Sequence, residues 1–258
     1  ERSMPAISKE SSVTLSIVVP AFNEEKTVAS VVEKIVKEVP CDFEVILVND
    51  GSSDRTPEII DELAARDSRI RAIHQKNAGK AAALKQGFAV TRGEIVIIQD
   101  ADLEYDPSEI VHMIQPILDG KADVVYGSRF LVRRAARVLY FYHFVANHII
   151  TLTSNLFTNL NMTDVETGYK AMRGTIIRAM VIESSGFGIE IEITAKIAKW
   201  GAAVYEVPIS YYGRTYEEGK KIGPWDGVMA LWYIFYFNLF WSRARSFRST
   251  EAAALTTP

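Results

Sequence analysis

The chain has 258 residues, 48% of them hydrophobic and 24% charged, with a formal net charge of −3. That length suits one large α/β domain or a domain with an appendage, and the balanced charge gives no global attraction to nucleic acid. The single cysteine, Cys41, excludes an intramolecular disulfide and a cysteine-rich zinc site.

Residues 1–14 are polar, lack the apolar centre of a signal peptide, and are expected to form a flexible arm. Residues 15–20 are β-branched and read as a strand ending at Pro20. Residues 27–39 carry Val28, Val31, Val32, Ile35, Val36 and Val39 at helical spacing. Residues 43–50 read as a second strand. A helix is expected over 57–66, with Asp54 or Thr56 as cap and Pro57 in its first turn. A short strand (69–74), an Ala-rich helix (80–91) and an apolar strand (94–99) follow. Next come a helix over 107–119 and a strand over 122–126. Such alternation predicts a mostly parallel sheet covered by helices on both faces.

The second half changes character. Arg133, Arg134 and Arg137 lead into 138–160, a long aromatic and aliphatic stretch with helical amphipathic spacing. A polar loop, 161–168, contains Asp164. Residues 187–192 precede another expected helix. If extended, they would put Glu190 and Glu192 on one face; otherwise the two acids would open that helix in solvent. A late strand (203–209), a basic loop (214–221), an aromatic helix (226–241) and the basic residues Arg243, Arg245 and Arg248 complete the order. Residues 249–258 are expected to be disordered. No stretch reaches the roughly 18–20 apolar residues that span a bilayer. Trp, Tyr and Phe beside arginines suit an interface, so the aromatic helices are expected to lie in a membrane surface or to pack on a second copy of the chain.

Ligands on parallel sheets bind where the strands end at their carboxyl edge. The polar clusters fall there: Pro20-Ala21-Phe22-Asn23-Glu24, Asn49-Asp50-Gly51-Ser52-Ser53-Asp54 and Asp100-Ala101-Asp102. Two carboxylates at i and i+2 where a buried strand ends can face one hard cation, and Mg²⁺ commonly takes one or two carboxylates plus substrate phosphates. Alone, such a short and common pair reads first as two solvated acids in a loop. Asp54 reads first as a helix cap, and Asn23 and Glu24 serve equally as turn residues. Asp164 divides evenly between bracing the Gly168 turn and catalysis. His143 and His148 read as structural. No G-x-G-x-x-G follows the first strand and no G-x-x-x-x-G-K-[ST] occurs, which disfavours dinucleotide and P-loop folds.

Taken in order, these clusters with Gly79-Lys80 and Gly127-Ser128-Arg129 resemble family 2 glycosyltransferases of the GT-A fold. Thr163-Asp164-Val165-Glu166-Thr167-Gly168-Tyr169-Lys170, with Arg214, Lys220 and Lys221, resembles the dolichyl- or polyprenyl-phosphate mannosyl- and glucosyltransferase branch. The resemblance implies a Rossmann-like α/β catalytic domain over 15–225, including the amphipathic segment 138–160. A C-terminal amphipathic helix would follow over 226–248. It implies that Pro20, Phe22, Glu24, Asp50, Lys80 and Asp100 hold the nucleotide sugar, with Arg214 and Lys220 clamping the diphosphate. Asp102 and Glu104 would bind Mg²⁺ or Mn²⁺; many relatives carry glutamine at the position of Glu104. Arg129, Arg133 and Arg134 would meet the acceptor phosphate, and Asp100, Asp102, Arg129 and Asp164 would form the catalytic group.

The implied reaction is inverting transfer of a hexose from UDP-glucose or GDP-mannose to a polyprenyl or dolichyl phosphate, at the cytoplasmic face of a membrane. A phosphate acceptor brings an ionised nucleophile and needs positioning more than a base. A hydroxyl acceptor, soluble or saccharide, would call for a carboxylate base among Asp164, Glu190 and Glu192. A silent nucleotide-sugar binder and a nucleotidyltransferase are weaker alternatives. The acidic pair argues against the first, and the missing Gly-rich loop against the second.

Overall fold

The computed structural model describes residues 14–131, 140–186, 188–213 and 224–248. Within them the chain runs β1 (Leu15–Ala21), α1 (Val28–Glu38), β2 (Phe43–Asp50), α2 (Thr56–Arg66), β3 (Ile70–Gln75), α3 (Lys80–Ala89) and β4 (Ile95–Ile98). A short 3-10 turn (Pro107–Glu109), α4 (Ile110–Leu118), β5 (Val124–Ser128), α5 (Phe141–Thr158), β6 (Lys170–Arg173) and α6 (Gly174–Ala179) follow. The order closes with α7 (Gly188–Trp200), β7 (Val204–Pro208), α8 (Pro224–Leu239) and α9 (Arg243–Ser246).

The seven strands form one sheet in the order β3-β2-β1-β4-β6-β5-β7. Only β6 runs against its neighbours, β4 and β5. β1 is an interior strand, with Leu15 level with Phe43 on one side and Ile95 on the other. Because β1, β2, β4 and β5 point the same way, the segments after Ala21, Asp50, Ile98 and Ser128 leave along one edge.

Alternation along the strands explains the layers. Ile17, Val19, Val45, Leu47 and Ile97 face Val28, Ile60 and Ile110 of the helices on one side. Val18, Ile46, Val48, Val96 and Ile98 face Leu84, Ile177 and Ile193 on the other. Burial on both faces is why these strands read as continuous apolar runs. Gly87 lets α3 lie close on β1: a Cβ there would come within 2.3 Å of Val18 Cγ1.

The expected mostly parallel α/β sheet is therefore found, with three differences. β6 and α6 were not anticipated. The helix after residue 186 begins at Gly188, so Glu190 and Glu192 lie inside its first turns instead of before it. Both are buried, so neither the extended pair nor the solvated helix start holds. On a helix, residues two apart point to nearly opposite sides, which sends the two acids to different partners.

The aromatic segments form α5 and α8, which pack on each other and on α7 through Ile150, Val165, Ile191, Ala230 and Ile234. Lys196 of α7 fastens the end of this layer. Its ammonium meets Glu192 and the Val181 carbonyl and lies 3.8 Å from the centre of the Trp241 ring, a desolvated cation–π contact. Much of the outer surface of α5 and α8 stays apolar and exposed, with Tyr142 at 84%, Leu156 at 80% and Trp225 at 71%. Among the described residues no helix is long and apolar enough to cross a membrane.

Candidate functional site

The loops after β1 and β2 are sewn together by short polar side chains. Asn23, in the left-handed region at φ 57°, accepts from Ser53 N at 2.8 Å and donates its own N–H to Ser52 Oγ at 3.0 Å. Asp54 Oδ1 accepts from Thr56 N, which opens α2, while Oδ2 accepts from Glu25 N. Asp54 thus serves as both turn and cap. Glu24 accepts from Thr27 Oγ1 at 2.7 Å. Pro20 and Phe22 flank this turn, with Phe22 exposed. Asp50 is buried and accepts from Gln75 Nε2 (2.7 Å), Ala78 N (2.9 Å) and Gly79 N (2.8 Å). It therefore shapes the approach to α3 as well as lining the edge.

Lys80 opens α3 and bridges two acids. Its Nζ lies 3.0 Å from Asp100 Oδ1 and 3.2 Å from Glu190 Oε1. Burial works to discharge Lys80, but the two carboxylates outweigh it and hold its pKa above the ordinary lysine range. Gly168 passes directly over this pair. A Cβ there would meet Asp100 Oδ2 at 2.8 Å and Lys80 Nζ at 3.1 Å, so any larger residue would push the Asp100–Lys80 pair aside.

The chain after Asp100 turns sharply. Leu103 sits at φ 62°, and Asp102 Oδ1 accepts from Glu104 N at 3.1 Å. Glu104 Oε2 accepts from Tyr211 Oη at 2.9 Å. Among the described residues no group of three or more His, Cys, Asp or Glu side chains is arranged to hold a metal by itself. Mg²⁺ and Mn²⁺ commonly take one or two carboxylates with phosphate and water, so Asp102 and Glu104 would hold such a cation only in company with a diphosphate.

Arg129 leaves the end of β5 and is gripped by Asp164. Nε and Nη2 each lie 2.7 Å from a carboxylate oxygen, and Arg129 N donates to Oδ2 at 3.1 Å. Asp164 is 0% exposed and the Arg129 side chain 13%. Burial opposes the charge on Arg129, but Asp164 overrides it and keeps the pKa above the usual range. The Gly168 turn is braced by Tyr105, whose hydroxyl accepts from Gly168 N at 3.0 Å. Tyr105 joins the two clusters. Burial first pushes its pKa up to about 12; Arg129 and Lys80 pull against that shift, and Asp100 and Asp164 add to it.

Several contributors carried no sequence signal as site residues. Tyr105 and Tyr211 sit between the clusters. Glu166 and Lys170 feel each other's charge beneath the Gly168 turn, and the Lys170 ammonium donates to the Thr167 carbonyl. Burial, reinforced by Glu190, raises Glu166 to about 7. Burial likewise lowers Lys170 to about 8, against the pull of Glu190. Glu166 Oε1 and Glu190 Oε2 are buried without a hydrogen-bond partner among the described residues. Arg133, Arg134, Arg214 and Lys220 lie outside the described residues.

Comparison with known proteins follows the same lines. A family model described as glycosyl transferase family 2 matches residues 16–181. Glycosyltransferase AglD of Haloferax volcanii is 31% identical over 218 residues, covering 80% of this chain and 34% of that protein. The chain thus spans about a third of that relative's length. Polyprenol monophosphomannose synthase of Mycolicibacterium smegmatis is 28% identical over 227 residues, covering 85% of this chain and 84% of that one. Among solved structures, glucosyl-3-phosphoglycerate synthase of Mycobacterium tuberculosis, in complex with Mn²⁺, UDP-glucose and phosphoglyceric acid, superposes with a TM-score of 0.65. The identity is 21%, with 87% of this chain and 79% of that one covered. At that identity the likeness speaks for the fold alone.

Proposed function

The chain belongs to glycosyl transferase family 2, and from that premise we propose that it moves a hexose from a nucleotide sugar to a polyprenyl or dolichyl phosphate at the cytoplasmic face of a membrane. The observation that carries the acceptor class is the Arg129–Asp164 pair. Asp164, a candidate base in a hydroxyl-acceptor reaction, is fully buried with both oxygens on Arg129. It orients a guanidinium instead of taking a proton. Arginine so held can turn its remaining N–H donors and its charge toward an oxyanion such as phosphate. The relative named for polyprenol monophosphomannose synthesis lends the same reading support.

In this reading Pro20, Phe22, Glu24 and Asp50 hold the nucleoside, and Lys80 keeps Asp100 turned toward the donor sugar. Asp102 and Glu104 would hold Mg²⁺ or Mn²⁺, which when bound supplies positive charge beside the diphosphate. Arg214 and Lys220 add cationic charge on the donor side, Arg133 and Arg134 on the acceptor side. An acceptor phosphate oxygen attacks the anomeric carbon; the bond to the nucleoside diphosphate breaks and the diphosphate leaves with the electron pair. One such displacement inverts the centre. No proton need be removed, so the residues act by orientation and charge. The exposed aromatic face of α5 and α8, beside Arg243, Arg245 and Arg248, supports contact with the bilayer that holds the acceptor.

A second reading keeps the family and takes a hydroxyl acceptor. The unpartnered Glu190 Oε2 favours it, because a base is then available. The deciding experiment offers labelled UDP-glucose or GDP-mannose, with Mg²⁺ or Mn²⁺ and detergent, to polyprenyl phosphate and soluble sugars in competition. Lipid product abolished by EDTA and by Asp102→Ala supports the proposal. Product on soluble sugars alone supports the second reading.

A further inference from the structure

One side chain touches both halves of the site. Tyr211 lies just past β7, where the chain is stitched to the loop after β4. Ser210 N and Oγ each donate to Glu109 at 2.9 Å, Tyr211 bridges Tyr105, and Tyr212 N donates to the Glu104 carbonyl at 3.0 Å. In that frame the Tyr211 hydroxyl donates to Glu104 Oε2 at 2.9 Å. The face of the same ring lies 5.2 Å from the Arg129 guanidinium carbon. Its other neighbour is the Tyr105 ring, 5.5 Å away.

We propose that Tyr211 is a positioning residue with two separable duties: its hydroxyl sets the Glu104 carboxylate, and its ring seats the Arg129 guanidinium. The inference rests on the reading above, in which Glu104 serves the cation and Arg129 the acceptor phosphate. The duties divide chemically. A phenol O–H fixes which carboxylate oxygen is engaged and how the group is turned, as partners outside a metal's own ligands do. A ring face offers a cation its negative quadrupole whether or not a hydroxyl is present. Asp164 fixes Arg129 from one side and Tyr211 from another, so the guanidinium loses freedom that it would otherwise lose on meeting the acceptor.

Two variants separate the duties. Tyr211→Phe keeps the ring and removes the donor. Tyr211→Leu removes both. Mn²⁺ binding is measured directly, by electron paramagnetic resonance of the free ion with UDP present, and the acceptor KM by transfer to polyprenyl phosphate. Tyr211→Phe is expected to weaken Mn²⁺ binding about tenfold and to leave the acceptor KM unchanged. Tyr211→Leu is expected to raise the acceptor KM as well. Unchanged Mn²⁺ affinity in Tyr211→Phe would overturn the inference, as would equal losses of kcat and melting temperature in both variants with affinity and KM intact. If Tyr211→Leu does not fold, Tyr211→Phe still decides the hydroxyl's duty. Wild-type protein that binds no Mn²⁺ with UDP and makes no lipid product would overturn the functional reading along with it. A wild type that does both, beside an unaffected Tyr211→Phe, overturns this inference alone.

Discussion

Glu190 and Glu192 leave the same helix two residues apart and end in opposite kinds of surroundings. Glu192 is closed off: it accepts from Glu183 N and Ser184 N, each at 2.8 Å, and meets Lys196, with both side chains of that pair 0% exposed. Glu190 is left open. One oxygen meets Lys80, which also holds Asp100, and the other has no hydrogen-bond partner among the described residues. A satisfied buried ion pair specifies how α7 meets its neighbours. An unsatisfied one beside a candidate substrate edge marks a place where the protein keeps a polar group ready at a cost to its own stability. The difference sets a closed ion pair against an open one on a single helix.

The sharpest way to break that contrast is to attack the satisfied pair. Lys196→Ala leaves Glu192 buried without its cation and removes the contact with Trp241. Losing one partner of a buried pair costs about 3–5 kcal/mol. Urea unfolding should show a loss of that size; a change under 1 kcal/mol would place this pair with surface ion pairs. Glu190→Gln is the counterpart. It removes a like charge from beside Glu166 and keeps a hydrogen-bonding group near Lys80. Its urea midpoint should stay equal or rise, while transfer falls about 100–1000-fold, the range for removing one group that acts on transition-state charge. A stability loss matching that of Lys196→Ala would make Glu190 scaffold too.

Charge in the open cluster also leaves a signature in pH. Glu166 is raised from 4.5 to about 7 in the folded protein, first by burial and then by Glu190. The folded state therefore holds this proton more tightly than the unfolded chain. Its stabilising contribution is complete below about pH 4.5 and is lost as pH rises through 7. Lys170 is lowered from 10.5 to about 8, so its contribution is present above about pH 10.5 and is lost as pH falls through 8. Together they place a shallow minimum of stability between about pH 7 and 8. Urea midpoints of the wild type against Glu166→Gln should converge at low pH relative to their separation at pH 7.5. Parallel curves across that range would show that Glu166 titrates normally.

How much of this was legible in the sequence follows from the same physics. β1, β2 and β4 were readable because both faces are buried and their runs are continuous. The segments after them fell on one edge because parallel strands must end together. β6 was not readable: it is four residues long and opens with a buried lysine, Lys170, so neither alternation nor an apolar run announces it. The fates of Glu190 and Glu192 turned on where α7 begins, and helix boundaries are the least reliable feature of a pattern. The Tyr211–Glu104 contact joins residues 107 apart in sequence, between two segments with no shared pattern. Asp164 was visible as a candidate, but its partner was not, because the spacing from Arg129 says nothing until β5 and the 161–168 loop are brought together.

The smallest expected effect tests the outermost layer, where scaffold and site meet solvent. α8 buries Ala230, Ile234 and Phe237 against α5 and α7 and leaves Trp225, Trp232 and Phe235 exposed. Lys196 holds the far end of this layer through Trp241. The exposed row is thus carried by a helix whose inner side is fixed, and removing an exposed ring should not disturb packing. Trp232→Ser should leave the melting temperature within error. If the row enters a bilayer surface, the same change forfeits part of the roughly 1.5–3 kcal/mol gained by burying a large apolar side chain. Sedimentation with anionic vesicles should then weaken about threefold to tenfold, and transfer to detergent-dispersed acceptor should be nearly unchanged. Loss of a dimer in place of loss of vesicle binding would assign the face to a second copy of the chain. Loss of neither would leave α8 with only its inward duty, and the contrast between its two sides would carry no function.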